Sequence, residues 1–441
     1  MSKDIPKLIL IEGRVDGRDH CGFLLDETSQ VFTGFSLIDR DAFEDENISE
    51  VPIQNLTYLE DALTYFQNGW RSVWKKDRGI EGERVFVGRV ADLGGDHQDL
   101  KKIFVSIPSY RDPEVVATIE DLWKKADHPE RVIVGVCQQI DLTKRSKDDI
   151  DLRRTFPSQV SSGHMKIDTM DYREAKGPCL ARERIETHCL DKEDFVLMID
   201  AHMVFAPSWD TRLLNDWYAI DDPMAILTTY PREYQEDRGW TESEGTFLLG
   251  HSWKQNDLPL FALRSYYKTP RIPVPCISWV AGFSFLPRYL VELVPYLSKV
   301  PYLFIGEEIA MAARYFTHGC NFYAPTFSAV QTTYKHRGKR KFEELDFQRG
   351  IRMHSEGFIR ALVGMRGDGD LSKYDSPSRL GPERSLYDFE TYSGISLSRK
   401  KITMNGLAGL TPSDNDETKS YKWENDEAIN TMRSRRMFQA S

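Results

Sequence analysis

Three short apolar runs constrain this chain more than any other feature: Ile103-Phe-Val-Ser-Ile-Pro108, Arg131-Val-Ile-Val-Gly-Val-Cys137 and Phe195-Val-Leu-Met-Ile-Asp200. They are rich in β-branched residues and apolar at nearly every position rather than every second one, which predicts strands covered on both faces. Between the first two, Val115, Val116, Ile119, Leu122, Trp123 and Ala126 fall at helical spacing within Pro113–Asp127. Asp112 and Pro113 supply a natural cap and first-turn pair for that helix. A strand at Met165–Met170 and a helix at Pro178–Leu190 repeat the unit. Strand, crossover helix and strand predict an α/β fold, most economically a Rossmann-like, nucleotide-binding βαβ sheet flanked by helices. Ligands in such sheets sit outside the carboxyl ends of strands, where Pro108-Ser-Tyr-Arg111 and Asp200-Ala-His202 both fall.

The chain divides unevenly. Residues 1–97 hold 11 basic and 19 acidic side chains, a net of −8 out of −10 for all 441 residues. Their short apolar runs, Lys7–Ile11, Val31–Leu37 and Arg84–Val90, and a helical stretch near Leu59–Trp74 predict a small β-rich accessory unit. The polar stretch Asp92–Asp99 predicts a boundary near residue 98, residues 98–400 forming the main domain. Residues 401–441 are polar and aperiodic and predict a loose tail or a late-docking segment.

Acidity argues against wholesale capture of nucleic acid or an anionic membrane. No apolar stretch is long enough to cross a bilayer, and the start, MSKDIPKLILIEG, is too short in apolar residues for a signal core. The six cysteines, Cys21, Cys137, Cys179, Cys189, Cys276 and Cys320, lie far apart without a C-x-x-C pair, which predicts reduced thiols in a cytoplasmic protein.

Neither G-x-x-x-x-G-K-[ST] nor a strand-borne G-x-G-x-x-G is present, so P-loop and dinucleotide chemistry lose their support. In their place, Asp200 closes a predicted strand and His202 follows two residues on. Side chains alternate along an extended chain, so the pair would point the same way and hold one divalent cation. An oxygen with an imidazole suits manganese or a similar ion that also grips a diphosphate. The bland alternative is a turn cap and a hydrogen-bonded histidine.

Several blocks in order carry a resemblance: Ile103–Glu114, Pro129–Val136, Gly177-Pro-Cys-Leu-Ala-Arg182, Met198–Phe205 with Trp209-Asp210, Gly306–Arg314 with Thr317-His-Gly319 and Tyr323-Ala-Pro325, and Arg379–Tyr387 with Ser393-Gly394. Together, over about residues 101–396, they resemble the GlcNAc-transferase family, whose members include cytoplasmic enzymes that attach GlcNAc to hydroxyproline. The resemblance implies a GT-A fold, a UDP-sugar donor such as UDP-GlcNAc, a divalent metal such as Mn2+, and retention at the anomeric carbon. Asp200 and His202 match the family's metal-binding Asp-x-His, and in resembling enzymes the segment holding Gly177 and Arg182 contacts the donor nucleotide, with Arg173 beside it.

A third metal ligand has to come from a distant segment. His336 is the choice, inside the basic run Thr333–Lys341, with Arg337 first among the groups supporting the leaving diphosphate. His354 is the rival, its apolar neighbours favouring a core or capping role. Pro108, Ser109 and Tyr110 are candidate walls of a uridine pocket, and Arg111 is placed to reach a nucleotide or a neighbouring carboxylate. Glu307 and Glu308 open a helix after Gly306, a position the helix dipole favours for carboxylates. The resemblance places one of them near the donor sugar or the acceptor hydroxyl, to orient the sugar or receive a proton. Trp279, Ala281 and Gly282 either shape a sugar pocket or belong to the core.

The expected activity is transfer of GlcNAc or another hexose from a UDP-sugar to a hydroxyl, on protein first, with a glycan or a modified nucleic acid base as further acceptors. A nucleotide-sugar hydrolase or pyrophosphorylase, and a non-catalytic nucleotide- or carbohydrate-binding protein, are the competing readings.

Overall fold

The computed structural model describes residues 100–439 apart from 145, 236–244, 298, 333–341, 345–348, 366–370 and 372–377, together with five strands nearer the start. It separates into two compact units, Met1–Leu100 and Lys101–Ser441. In the first, β1 (Ile9–Val15), β2 (Arg18–Asp26) and β3 (Phe32–Asp39) form an antiparallel sheet in that order. β4 (Val73–Lys75) pairs with β5 (Glu83–Val85). The helix expected near Leu59–Trp74 lies outside the described residues from 59 to 72, and Trp74 itself belongs to β4.

The second unit is built on an eight-stranded mixed sheet. β6 (Ile103–Tyr110), β7 (Val132–Ile140), β8 (Met165–Asp171) and β9 (Phe195–Ile199) run parallel, β6 lying between β7 and β9. Every residue of β7 and β9 is buried. The unbroken apolar runs follow from this, because alternate residues leave for opposite faces and both faces are covered. Val105, Leu197 and Ile199 enter one cluster with the helices Val115–Lys125 and Trp209–Ala219. Phe104, Val196 and Met198 enter the other, with the helices Pro178–His188 and Glu307–Thr317.

The other half of the sheet is not parallel throughout. β16 (Phe283–Pro287) lies between β9 and β11 (Ala225–Thr228) and runs antiparallel to both. β17 (Asn321–Ala324) is parallel to β11, and β15 (Val274–Pro275) closes the edge. Phe283 pairs with Ile199, so the turn that enters β16 emerges on the rim where β9 ends. β10 (Met203–Phe205) leaves the main sheet to pair with β18 (Val330–Thr332), which also pairs with β12 (Arg232–Glu233). β13 (Thr246–Trp253) and β14 (Pro259–Ser265) form a separate hairpin.

Trp209 and Asp210 fasten this layer together. The Trp209 indole donates to the Leu122 carbonyl at 2.8 Å, and Asp210, wholly buried, accepts from the Arg131 guanidinium and from the Asp127 and His128 N–H groups. Removing one member of a buried ion pair of this kind costs about 3–5 kcal/mol, so the two residues are fold elements.

The segment after residue 400 is not a loose tail. β20 (Lys401–Ile402) pairs with β19 (Ile395–Ser396), and helices Met404–Ala408, Asp416–Lys422 and Asp426–Gln439 follow. Leu410, Tyr421, Trp423, Ile429 and Met432 are buried in the core. Lys422 is fully buried, donating to the Pro275 and Gly409 carbonyls and paired with Asp414 at 2.8 Å. The docking residues are spread thinly over short helices, which leaves no periodicity to read. Among the described residues no helix is long and apolar enough to cross a membrane.

Candidate active site

β9 ends at Ile199, and Asp200, Ala201 and His202 form a bend into β10. The alternation expected of an extended strand therefore does not hold at these residues; the bend, not the pleat, brings them to the rim. Thr118, from the helix Val115–Lys125, pins it: its hydroxyl lies 2.9 Å from the Ala201 carbonyl and accepts the Met203 N–H at 2.9 Å. The Thr332 hydroxyl donates to the His202 carbonyl at 3.2 Å.

Each of the two side chains is held by a partner of its own. Asp200 Oδ1 accepts from Arg182 Nη2 at 3.0 Å, the aspartate side chain 43% exposed and the arginine 3%. Its Oδ2 lies 3.7 Å from the point where a Cβ on Gly282 would stand, so glycine leaves a gap beside the carboxylate. His202 Nδ1 lies 2.9 Å from Asp112 Oδ2. When that nitrogen donates, Nε2 carries the ring's lone pair, the arrangement by which a carboxylate orients a metal-binding imidazole. Asp112 is thus more than the expected helix cap. The helix begins at Val115; Asp112 Oδ1 accepts the Glu114 N–H at 3.0 Å while Oδ2 serves the histidine.

The two glutamates separate. Gly306, at φ +115°, opens the helix Glu307–Thr317, a backbone region that favours glycine. Glu307 is buried, accepts from the Tyr296 phenol and lies 3.6 Å from Arg182 Nε. Burial raises its carboxyl above the ordinary range against the pull of the Arg182 charge. Glu308, half-buried, accepts from the Tyr230 phenol and, at 3.4 Å, from the Ala281 N–H. Burial, with the nearby Glu307 and Asp200 charges, pushes it up to about 8. Tyr230 and Pro231 also stand within 4.0 Å of the Gly282 Cβ position, so Glu308 belongs to the wall that faces Asp200.

The remaining expected residues lie at the ends of β6, β7 and β8. Ser109 is buried, with Pro108 and Tyr110 half-buried, and Tyr110 meets Tyr172 edge-on at 6.3 Å. Arg111 makes a two-pronged pair with Asp149, both contacts 2.8 Å, and its guanidinium lies 4.2 Å over the Tyr172 ring. Asp149 is thus the neighbouring carboxylate expected for it. Its φ of +47° is a strained conformation for a non-glycine residue. Arg173 lies 4.5 Å over the same Tyr172 ring and pairs with Asp141 and Asp171. The Thr143 hydroxyl and N–H, then Arg173, hold the Asp141 carboxyl well below the usual range. Gly177, at φ +96°, starts the helix that carries Arg182, and a Cβ there would stand 3.1 Å from the Leu303 carbonyl. Tight packing explains that glycine.

Trp279 is core: fully buried, with its indole donating to Ser284 Oγ at 2.7 Å. His354 is exposed on the helix Arg349–Leu362, whose buried residues begin at Ser355, so it is not a core residue. His336 and Arg337 lie outside the described residues. Sequence reasoning missed the roles of Thr118, Tyr230 and Tyr296 and half that of Asp112; their partners are distant in the chain, and no spacing signals them.

Among the described residues, no three His, Cys, Asp or Glu side chains gather to hold a metal ion. The donors present nevertheless fit a divalent cation that is shared with a ligand: one exposed carboxylate with a glycine beside it, and one carboxylate-oriented imidazole two residues on.

A covered mixed sheet with polar groups gathered where its parallel strands end defines the class, an α/β protein whose ligand site lies at the carboxyl rim. The model of the glycosyltransferase (GlcNAc) family matches residues 102–165 and 154–393, and the chain belongs to that family. No curated protein matches it. Among solved structures it is similar to GalNAc-T7 with UDP, GalNAc and Mn2+, at 13% identity and a TM-score of 0.45, over 60% of this chain. The match covers 48% of that chain, about half its length.

Proposed function

We propose that this glycosyltransferase moves a sugar, GlcNAc first among the candidates, from a UDP-sugar to a hydroxyl acceptor in a Mn2+-dependent reaction on a GT-A fold. The observation that carries the reading is the Asp200–His202 bend, where an exposed carboxylate and a carboxylate-oriented imidazole meet at the sheet rim. A divalent cation held there supplies charge neutralisation for the departing diphosphate. His336 is the proposed third ligand and Arg337 the proposed diphosphate support. The choice is favoured by β18, which ends at Thr332 bonded to the His202 carbonyl, four residues before His336.

The other residues have roles that follow from their surroundings. Arg182 aims Asp200 from inside the protein, its side chain 3% exposed. Arg111 and Arg173, occupied by Asp149, Asp141 and Asp171, stiffen the end of the sheet beside Pro108, Ser109 and Tyr110. Glu308, its carboxyl pushed up to about 8 by burial, is proposed to hydrogen-bond the donor sugar or the acceptor hydroxyl. Retention at the anomeric carbon and a protein hydroxyl as acceptor, hydroxyproline included, belong to the same proposal. So does a cytoplasmic setting, supported by five buried free cysteines among the described residues.

The test is UDP release from a panel of UDP-sugars, with and without Mn2+ and with and without hydroxyproline peptides. Mn2+-dependent release that rises with acceptor supports transfer. Release indifferent to every acceptor favours the nucleotide-sugar hydrolase, and tight UDP binding unaffected by Mn2+ overturns the metal assignment. The anomer formed, read by NMR, tests retention.

A further inference from the structure

Behind the rim lies a buried polar chain, Arg182, Glu307 and Tyr296, each residue at most 4% exposed. Arg182, 3% exposed, places its single positive charge between two carboxylates, Asp200 at 3.0 Å and Glu307 at 3.6 Å. Among the described residues its Nε has no hydrogen-bond partner, so it meets Glu307 as a charge and not through a made bond. Glu307 is fixed from behind by the Tyr296 phenol. Tyr296 is fixed in turn: its N–H donates to Glu186 Oε2 at 2.8 Å, and its ring packs edge-on against Trp279 at 6.3 Å. Arg182 and Glu186 stand one turn apart on the helix Pro178–His188 and so share a face. Tyr296 is therefore gripped by the helix that carries Arg182 and itself grips the helix that carries Glu307.

We infer that Glu307 and Tyr296 are positioning residues that act through Arg182 to keep the Asp200 carboxylate turned outward and only partly neutralised. The inference rests on the reading of Asp200 as a cation-holding group. A guanidinium shared between two carboxylates leaves Asp200 with negative charge to spend on a cation. Without the Glu307 charge, the same guanidinium pairs with Asp200 alone, draws the carboxylate inward and competes with the metal. Glu307, with a side chain 5% exposed, takes no part at the reacting atoms; of the two adjacent glutamates, only Glu308 stands in the wall of the site.

The experiment measures Mn2+ binding directly, by the electron paramagnetic resonance of free Mn2+ in the presence of UDP, on the full chain and on Glu307→Gln, Tyr296→Phe and Asp200→Asn, each checked for cooperative thermal unfolding. Partners of metal ligands typically change metal affinity by about 10–100-fold. Glu307→Gln is expected to raise the Mn2+ half-saturation within that range, Tyr296→Phe to raise it less in the same direction, and Asp200→Asn to abolish binding. Should Glu307→Gln fail to fold, Tyr296→Phe decides alone. Folded variants with unchanged half-saturation, beside an Asp200→Asn protein that has lost Mn2+, overturn the brace and leave the metal site standing. Unchanged Mn2+ binding in Asp200→Asn overturns both.

Discussion

At the scale of single residues, the site depends on side chains that serve others. Asp112 illustrates the point, with one oxygen on the Glu114 N–H and the other on His202. Asp112→Asn keeps the size and the helix contact but removes the charge behind the imidazole. Mn2+-dependent UDP binding, followed by calorimetry, is expected to weaken by about 10-fold or more, with UDP binding in the absence of metal unchanged. Glu308 gives a prediction in pH. Its carboxyl is raised from 4.5 to about 8, burial being the main cause, so between those values the folded chain holds a proton that the unfolded chain has released. The stability this contributes is complete below the unfolded value and is lost as pH rises through the folded one. Glu308→Gln removes that loss. Melting temperatures compared at about pH 5 and about pH 8.5 should show the variant gaining on the parent at the higher pH, and an equal offset at both would contradict the protonated carboxyl.

At the scale of elements, the helix Pro178–His188 is the clearest case of backbone geometry serving the site, since it carries Arg182 and begins at a glycine with φ +96°. Gly177→Ala forces a Cβ to 3.1 Å from the Leu303 carbonyl in a backbone region that side chains avoid. A loss of about 1–3 kcal/mol is expected in urea unfolding. The elements legible in the sequence were those whose burial wrote a pattern: β6, β7 and β9 on both faces, and the Val115–Lys125 helix along one stripe. The sequence pattern puts Asp200 at a strand end, one residue past where β9 stops, but not the bend itself, whose geometry comes from Thr118 and Thr332, and neither residue's type announces that task. β10 has three residues, too few for a period, and β16 reaches β9 through pairing between positions 283 and 199. Nothing local encodes such a contact. His354 was misplaced because the burial of its helix begins one residue later, at Ser355.

At the scale of the whole molecule, the last segment and the first unit make opposite predictions. Lys422 and Asp414 are both fully buried against each other. Lys422→Met leaves the aspartate charge without its partner, and about 3–5 kcal/mol of stability should disappear in chemical denaturation; a change below about 1 kcal/mol would mean that the segment folds without docking. Residues 101–441, by contrast, form their own compact unit, and the family match begins at residue 102. A chain starting at Lys101 is expected to unfold cooperatively and to retain Mn2+-dependent UDP binding, checked by circular dichroism and calorimetry. The antiparallel course of β16 has a last consequence. The strand that leads into Asp200 and the turn that holds Ala281 and Gly282 are neighbours in space but independent in sequence, brought together by the rungs between β9 and β16. On the proposed reading, the cation's anchor and the wall that faces it come from separate stretches of chain, so exchanging a few turn residues reshapes the wall while the anchor stays untouched.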